Sequence, residues 1–406
     1  MKRIKETLQN VLLIIISITL TTIAINFLFR VFALQIVNQN IFPRALLNYL
    51  GDHYHTFYPS VNDRTFKNWN AVLGDSYAAG AGDAYLQNKV MYGWMHFLHA
   101  RNNENYYIFG RSGFGSVNSA REFVVTTEEV KNSIFYPAYE PPRKLLFLFY
   151  EGNDLNNNLS YFLQRAKGSD STREFVEHEI GKPVESARVN RVNYPVILLF
   201  RDIYRDRKNF FTSSRRDDLQ AEPVESTNHV IVGEKLYEFS IRPQSAAAEL
   251  DEEQTDLALK VFFDSISYLK YIYPTTKIEI VYIPSVVTVY KWDNPIYFET
   301  YHSNALVSTD YQSNLDRSRY IRKRIGEFSN VEGVAFIDTS EELIANGRNV
   351  FLHGPLDLRH FNEIGQRIIG ETIYEKEVAL TKGMSDKARD ATPAGVMNRS
   401  SGAGRP

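Results

Sequence analysis

The chain has 406 residues, 44% of them hydrophobic and 23% charged, with 46 lysines and arginines against 48 aspartates and glutamates. That length suits one large enzyme-sized domain or two smaller ones, and the near-neutral balance provides no electrostatic footprint for a polyanion, so no nucleic acid is expected as a partner. Cysteine is absent, which excludes a disulfide framework, a thiolate nucleophile and cysteine-ligated metal sites, while a mean hydropathy of -0.31 excludes a polytopic membrane protein and leaves room for a single span.

That span comes first. After Lys2, Arg3 and Lys5, residues Val11 to Phe29 carry no charge, and as a helix the run would reach about 28 Å, close to the thickness of a bilayer core. The positive residues precede it, so residues 1–10 are expected in the cytoplasm, 11–34 in the membrane and everything after Arg30 across it. A cleaved signal peptide is the rival reading, but the apolar run is longer than a usual signal core and no small-residue cleavage site follows it cleanly. Residues 35–69, with His53 and His55, have no clear period and read as a membrane-proximal connector.

From Asn70 short apolar runs alternate with helical patterns, which argues a parallel sheet covered by helices on both faces. Strands are expected at 71–73, 106–109, 144–150, 277–283 and 333–338, and helices around 84–100, 116–130, 252–272, 311–328 and 361–379. In the last helix Phe361, Ile364 and Ile368 recur on one apolar stripe. The rhythm breaks between about Leu155 and Leu250, which reads as an insertion in a domain spanning 70–382. Its stretch 201–218 mixes six basic with four acidic residues, the mark of a solvated, salt-bridged surface. Residues 383–406 are small, polar and rich in Gly, Pro and Ser, and are expected to be disordered.

Four short motifs follow strands or precede the last helix. Gly74-Asp75-Ser76 ends the first strand beside a Gly-rich turn, where amide groups and a helix N-terminus would favour a developing oxyanion. Arg111-Ser112-Gly113-Phe114-Gly115 follows the second, and its glycines let backbone approach a ligand closely. Gly152-Asn153-Asp154 ends the third, where a side-chain amide would project over the carboxyl edge of the sheet, the place at which open α/β sheets hold ligands. Asp357-Leu358-Arg359-His360 precedes the last helix, and on a helical turn its two outer side chains share one face, so the carboxylate can hold the imidazole tautomer. Each motif taken alone is also what an ordinary turn or cap uses.

Together, in the order Ser, Gly, Asn, then Asp and His, they resemble the SGNH (GDSL-type) hydrolase family over about residues 70–380, the insertion apart. The resemblance implies a three-layer α/β/α sandwich with a central parallel sheet, flavodoxin-like in outline. It implies Ser76 in GDSYAAG as nucleophile, Asn153 in EGND and Gly113 in GRSGFGS as oxyanion donors beside the Ser76 amide, and Asp357 and His360 in DLRHFNEIG as the rest of a triad. Gly110 stays open as the alternative to Gly113. Ser76 Oγ is then expected about 2.6–3.5 Å from His360, with Asp357 at the other ring nitrogen and Asn153 and Gly113 flanking the same cavity. No cofactor and no metal are expected. The segment 277–340, with YIPS and GVAFIDTS, also resembles membrane-associated acetyltransferases of exopolysaccharide modification. Those typically carry Asp-x-His, so the Asp-x-x-His here fits the hydrolase pattern better.

Other residues invite functional readings that simpler ones outweigh. His96 and His99 lie three apart with no third ligand nearby, which favours packing over a metal site. His353 could rival His360 as a base. Ser112 lacks the spacing of a nucleophile elbow, and the glycine clusters lack the Lys-Ser/Thr of a phosphate loop. The expected activity is a membrane-anchored ester hydrolase whose domain lies in the periplasm or outside the cell, acting on acyl esters of envelope glycans, O-acetyl first. O-acyl transfer, lipid-ester hydrolysis and a non-catalytic glycan-binding scaffold are the alternatives.

Overall fold

The computed structural model describes residues 2–38, 66–87, 89, 93–132, 139–186, 228–239, 241–243, 247–293, 295–300 and 306–390. Most of the expected connector, with His53 and His55, the charged stretch 201–218 and residues 391–406 lie outside the described residues. In chain order the strands are β1 (Trp69–Leu73), β2 (Asn105–Ile108), β3 (Lys144–Tyr150), β4 (His229–Val232), β5 (Lys235–Glu238), β6 (Lys277–Ile283), β7 (Lys291–Trp292), β8 (Ile296–Glu299), β9 (Leu306–Thr309) and β10 (Ala335–Asp338). Five of them form the central sheet in the order β10-β6-β3-β1-β2, and all its neighbours are parallel.

The sheet is held by residues that alternate between two apolar clusters, as the period of a strand requires. Ala71, Leu73, Phe147, Phe149, Ile280 and Tyr282 enter one cluster with side chains of helices Ser116–Lys131 and Glu252–Ile272. Val72, Leu146, Leu148, Val281 and Ile283 enter the other with Trp94, Leu98, Ile369 and Ile373 from helices Trp94–Asn102 and Glu363–Asp390. Strands buried on both faces call for nearly continuous apolar sequence, and KLLFLFY and KIEIVYI, the second interrupted by Glu279, carry the two longest strands. Each fully buried side chain of this size contributes about 1.5–3 kcal/mol.

Three features depart from the sequence expectation. The helix expected over 84–100 is two helices, Asp83–Leu86 and Trp94–Asn102. Part of the supposed insertion belongs to the core, since helices Asp154–Arg165 and Thr172–Ser186 place Leu155, Leu159, Phe175, Val176 and Ile180 in the first cluster. Farther along, β4 and β5 form a hairpin that joins β7 in a small separate sheet. The last helix continues to Asp390, past the boundary expected at Lys382.

At the N-terminus, helix Lys2–Asn38 contains Thr7–Ile25, with a mean hydropathy of 2.1 and none of it buried within the chain. Thr19 and Thr22 return their hydroxyls to the carbonyls of Ile15 and Ile18, each at 2.8 Å, so neither is left unpaired in the apolar run. By length and composition the helix can cross a membrane, a test that a signal sequence also meets.

The amino edge of the sheet carries a partly buried ion cluster around the buried Glu279. Lys144 Nζ lies 2.6 Å from Glu377, 3.5 Å from Glu104 and 4.0 Å from Glu279, and Lys277 contacts Glu279 at 2.5 Å. Burial, then the charge of Glu279, pushes Glu377 up to about 7. Burial disfavours the Lys144 ammonium as well, but the surrounding carboxylates outweigh it and hold the pKa above the ordinary value. Removing one member of such a cluster leaves buried charge uncompensated. Lys144→Met is therefore expected to destabilise the protein by about 3–5 kcal/mol, read by chemical denaturation of the full-length chain in detergent.

Candidate active site

The turn after β1 is built to hold a serine still. Gly74 has φ +145, and a Cβ there would stand 2.9 Å from Leu148 Cβ, so the position requires glycine. Its amide donates to Ser119 Oγ at 2.7 Å. Asp75, fully buried, accepts the Tyr77 amide at 2.9 Å, and the amides of Ala79 and Ala81 return to the carbonyls of Asp75 and Ser76. Ser76 is 5% exposed at the head of this coil. The helix expected to aim its N-terminus at Ser76 is not there. A turn follows the serine, and the next helix, Asp83–Leu86, has only 4 residues.

The second half of the site comes from residues 352–362. His360 Nε2 lies 2.8 Å from Ser76 Oγ, and His360 Nδ1 lies 2.6 Å from Asp357 Oδ2. An ionised carboxylate only accepts, so Nδ1 carries the proton and Nε2 is left as the acceptor facing the serine hydroxyl. Burial pushes the Asp357 carboxyl up, but the hydrogen bond and charge of His360, with the amides of Arg359 and His360, outweigh it and hold the pKa below the ordinary value. Asp357 and His360 meet on a tight turn closed by the His360 amide on the Asp357 carbonyl, rather than on a helix.

This loop is docked on the nucleophile turn at several points. Tyr77 donates its hydroxyl to the Arg359 carbonyl, stacks on Tyr150 at 3.6 Å and lies 5.0 Å from the His360 ring. Asp83, 5% exposed, accepts the amides of Leu356 at 3.1 Å and Asp357 at 2.8 Å. Gln366 donates to the Ala81 carbonyl and accepts the Trp94 amide. At Gly82 a Cβ would stand 2.2 Å from the Phe361 carbonyl oxygen, so the two segments touch through bare backbone.

Asn153, 6% exposed, precedes helix Asp154–Arg165. Its side chain stands close enough to Asp75, the neighbour of Ser76, to favour that carboxyl's charged form, and its Oδ1 is buried with no hydrogen-bond partner among the described residues. Burial raises the pKa of both Asp75 and Asp154, and their mutual repulsion adds to the rise at Asp154, which accepts the Tyr150 amide at 2.7 Å. Glu151, also fully buried, ties the end of β3 to the loop after β6 through the Ser285 amide at 2.9 Å and the Thr288 hydroxyl at 3.0 Å. Gly113 occupies an exposed turn closed by the Phe114 amide on the Arg111 carbonyl, and its φ of +76 explains the glycine there. Among the described residues Gly113 makes no hydrogen bond to Ser76, Asn153 or His360. Gly110 sits under the coil, where a Cβ would meet Ala78 Cβ at 2.6 Å and the Gly74 oxygen at 2.8 Å. Asn158 Oδ1 accepts the Ser116 amide and hydroxyl at 2.8 and 2.9 Å, fastening the loop that holds Gly113 to the helix that follows Asn153.

The remaining histidines have other tasks. His96 is buried and accepts the Gly93 amide, and burial lowers its pKa to about 4. His99 contacts the Glu104 carbonyl through Nδ1 at 2.8 Å. Among the described residues no group of three metal-binding side chains exists. His353 pairs with the Tyr290 hydroxyl at 2.9 Å, and burial, then the charge of His360, lowers its pKa to about 3. The histidine facing Ser76 is His360. Comparison with models of known protein families and with curated proteins finds no match for this chain.

Of the sequence-predicted residues, Ser76, His360 and Asp357 meet directly, Asn153 lies beside Asp75, and Gly113 sits on the exposed turn that follows β2. Sequence reasoning missed Tyr77, Asp83, Asp154 and Glu151. All four adjoin the recognised motifs, and a carboxylate just inside a short helix looks like a helix-end charge until its partner loop is seen. Buried neutral histidines also set an acid limit. With folded pKa values of about 4 and about 3 against 6.5, His96 and His353 take up protons on unfolding whenever the pH is below the unfolded value. Their contribution is fully present above about pH 6.5 and is lost as the pH falls toward 4 and 3, by about 1.4 kcal/mol per pH unit for each. His353→Gln should flatten the decline in unfolding free energy measured between about pH 6.5 and pH 5.

Proposed function

We propose that this chain is a membrane-anchored serine esterase of the SGNH type, a three-layer α/β/α sandwich that hydrolyses acyl esters, O-acetyl first, on envelope or surface glycans. The observation that carries the reading is the relay from Ser76 through His360 to Asp357, at 2.8 and 2.6 Å. In this mechanism Ser76 Oγ attacks the ester carbonyl while His360 Nε2 takes its proton, and Asp357 stabilises the imidazolium. His360 returns that proton to the leaving alkoxide, which departs as the alcohol. Water, deprotonated by the same nitrogen, then cleaves the acyl-enzyme, releasing the acid and restoring Ser76.

The Ser76 and Gly113 amides and the Asn153 side chain serve as oxyanion donors. Losing one such donor typically costs about 100- to 1,000-fold in rate. Asn153 is supported by its place beside Asp75, the neighbour of Ser76, just after β3. The apolar helix at the N-terminus serves as an uncleaved anchor, with Lys2, Arg3 and Lys5 on the cytoplasmic side. That orientation exposes the site to acylated glycans rather than to cytoplasmic esters.

Ser76→Ala should abolish ester cleavage and leave stability within about 1 kcal/mol, whereas Asn153→Ala should keep a small residual rate because two backbone donors remain. The assay is acetate release from an acetylated glycan by the detergent-solubilised chain. Faster acetyl transfer to a glycan acceptor than to water would favour the transferase reading. If Ser76→Ala changes no acyl reaction, both enzyme readings fail and a scaffold remains.

A reporter active only outside the cytoplasm should work when fused after residue 382 and fail when fused before residue 10. The opposite pattern would remove the argument for envelope substrates.

A further inference from the structure

We propose that Asp83 is a positioning residue that sets the catalytic loop on the nucleophile turn, an inference that rests on the triad reading above. The side chain lies in the first turn of helix Asp83–Leu86, where a carboxylate would ordinarily serve its own helix's free amides. Asp83 spends both oxygens elsewhere, Oδ2 on the Leu356 amide at 3.1 Å and Oδ1 on the Asp357 amide at 2.8 Å. With 5% exposure there is little water to replace either bond, and charge-assisted hydrogen bonds of this kind are about twice as strong as neutral ones.

What Asp83 holds is the backbone of Asp357 itself. The Asp357 side chain then holds His360, and His360 faces Ser76, which starts the turn leading to Asp83. The circuit is closed, so a shift at Asp83 moves the imidazole relative to the serine and leaves the substrate-facing surface in place. Gly82, pressed on the Phe361 carbonyl, prevents the helix from following the loop if it slides. The exposed Lys89–Glu363 pair also links the two segments, but pairs of that kind contribute little.

An amide in place of the carboxylate tests this with almost no change in shape. Asn has one acceptor oxygen, so in Asp83→Asn its NH2 must face a backbone N–H, donor against donor. For the full-length chain in detergent, Asp83→Asn should lower kcat for p-nitrophenyl acetate, and the rate of Ser76 labelling by a fluorophosphonate, by about 10- to 100-fold. KM should stay within about threefold, since no group that touches substrate has changed. Hydrogen exchange should speed up at the Leu356 and Asp357 amides while the buried strands keep their protection. Lys89→Ala should leave both rates within about twofold. If Asp83→Asn does not fold, Asp83→Ser, which keeps a single acceptor and avoids the donor conflict, supplies the same readouts.

Rates within about twofold of wild type, or a loss that only tracks the unfolded fraction, would overturn the proposal. Labelling that slows in the variant while wild type cleaves no ester would uphold Asp83 and remove the esterase reading. A wild-type chain that neither labels nor cleaves would overturn both.

Discussion

The contact between Ser76 and His360 joins residues 284 positions apart, and the rest of the molecule is arranged so that this one hydrogen bond can exist. A single such bond adds about 1 kcal/mol, far too little to hold a loop of that length closed. Closure is supplied by the sheet and by the packing of helix Glu363–Asp390 against helix Trp94–Asn102 in the second apolar cluster. Tyr77, Gly82, Asp83 and Gln366 then convert a rough approach of two segments into a fixed one.

The two edges of the sheet treat buried charge differently. At the amino edge Lys144, with Lys277, gathers Glu104, Glu279 and Glu377 into a cluster that sets two cations among three acids. At the carboxyl edge Asp75, Glu151 and Asp154 lie buried with hydrogen bonds but, among the described residues, without a salt-bridged cation, and burial pushes all three upward. Uncompensated acid of this kind costs stability, and it collects beside Ser76 and Asn153.

How far this could be read in advance depended on the kind of signal each element carries. The strands Lys144–Tyr150 and Lys277–Ile283 agree residue for residue with their expected bounds, because burial on both faces favours nearly continuous apolar sequence. Helix Asp154–Arg165 escaped because it opens with DLNNNLS, in which Asn156 and Asn158 are almost fully buried. Asparagine on a page reads as solvent, and only the packed loop of residues 111–116 explains Asn158. Motif order located the serine, histidine and aspartate together, whereas the Gly113 turn is shaped by local backbone geometry that no motif specifies. Asp83 was illegible for another reason: both its partners lie more than 270 positions away.

The placement of His360 late in the chain bears on how the protein is made. The serine turn emerges early in synthesis, and the strands that flank it, β2 and β3, end by Tyr150. Its imidazole partner and the helix that seats the partner's loop come from the last part of the described chain. A chain still being made therefore presents the Ser76 hydroxyl before its imidazole partner exists, and a serine without such an acceptor is chemically as mild as any surface alcohol. The contact can form only after residue 360 has been added, so the order of residues sets the order in which the two halves of the site appear.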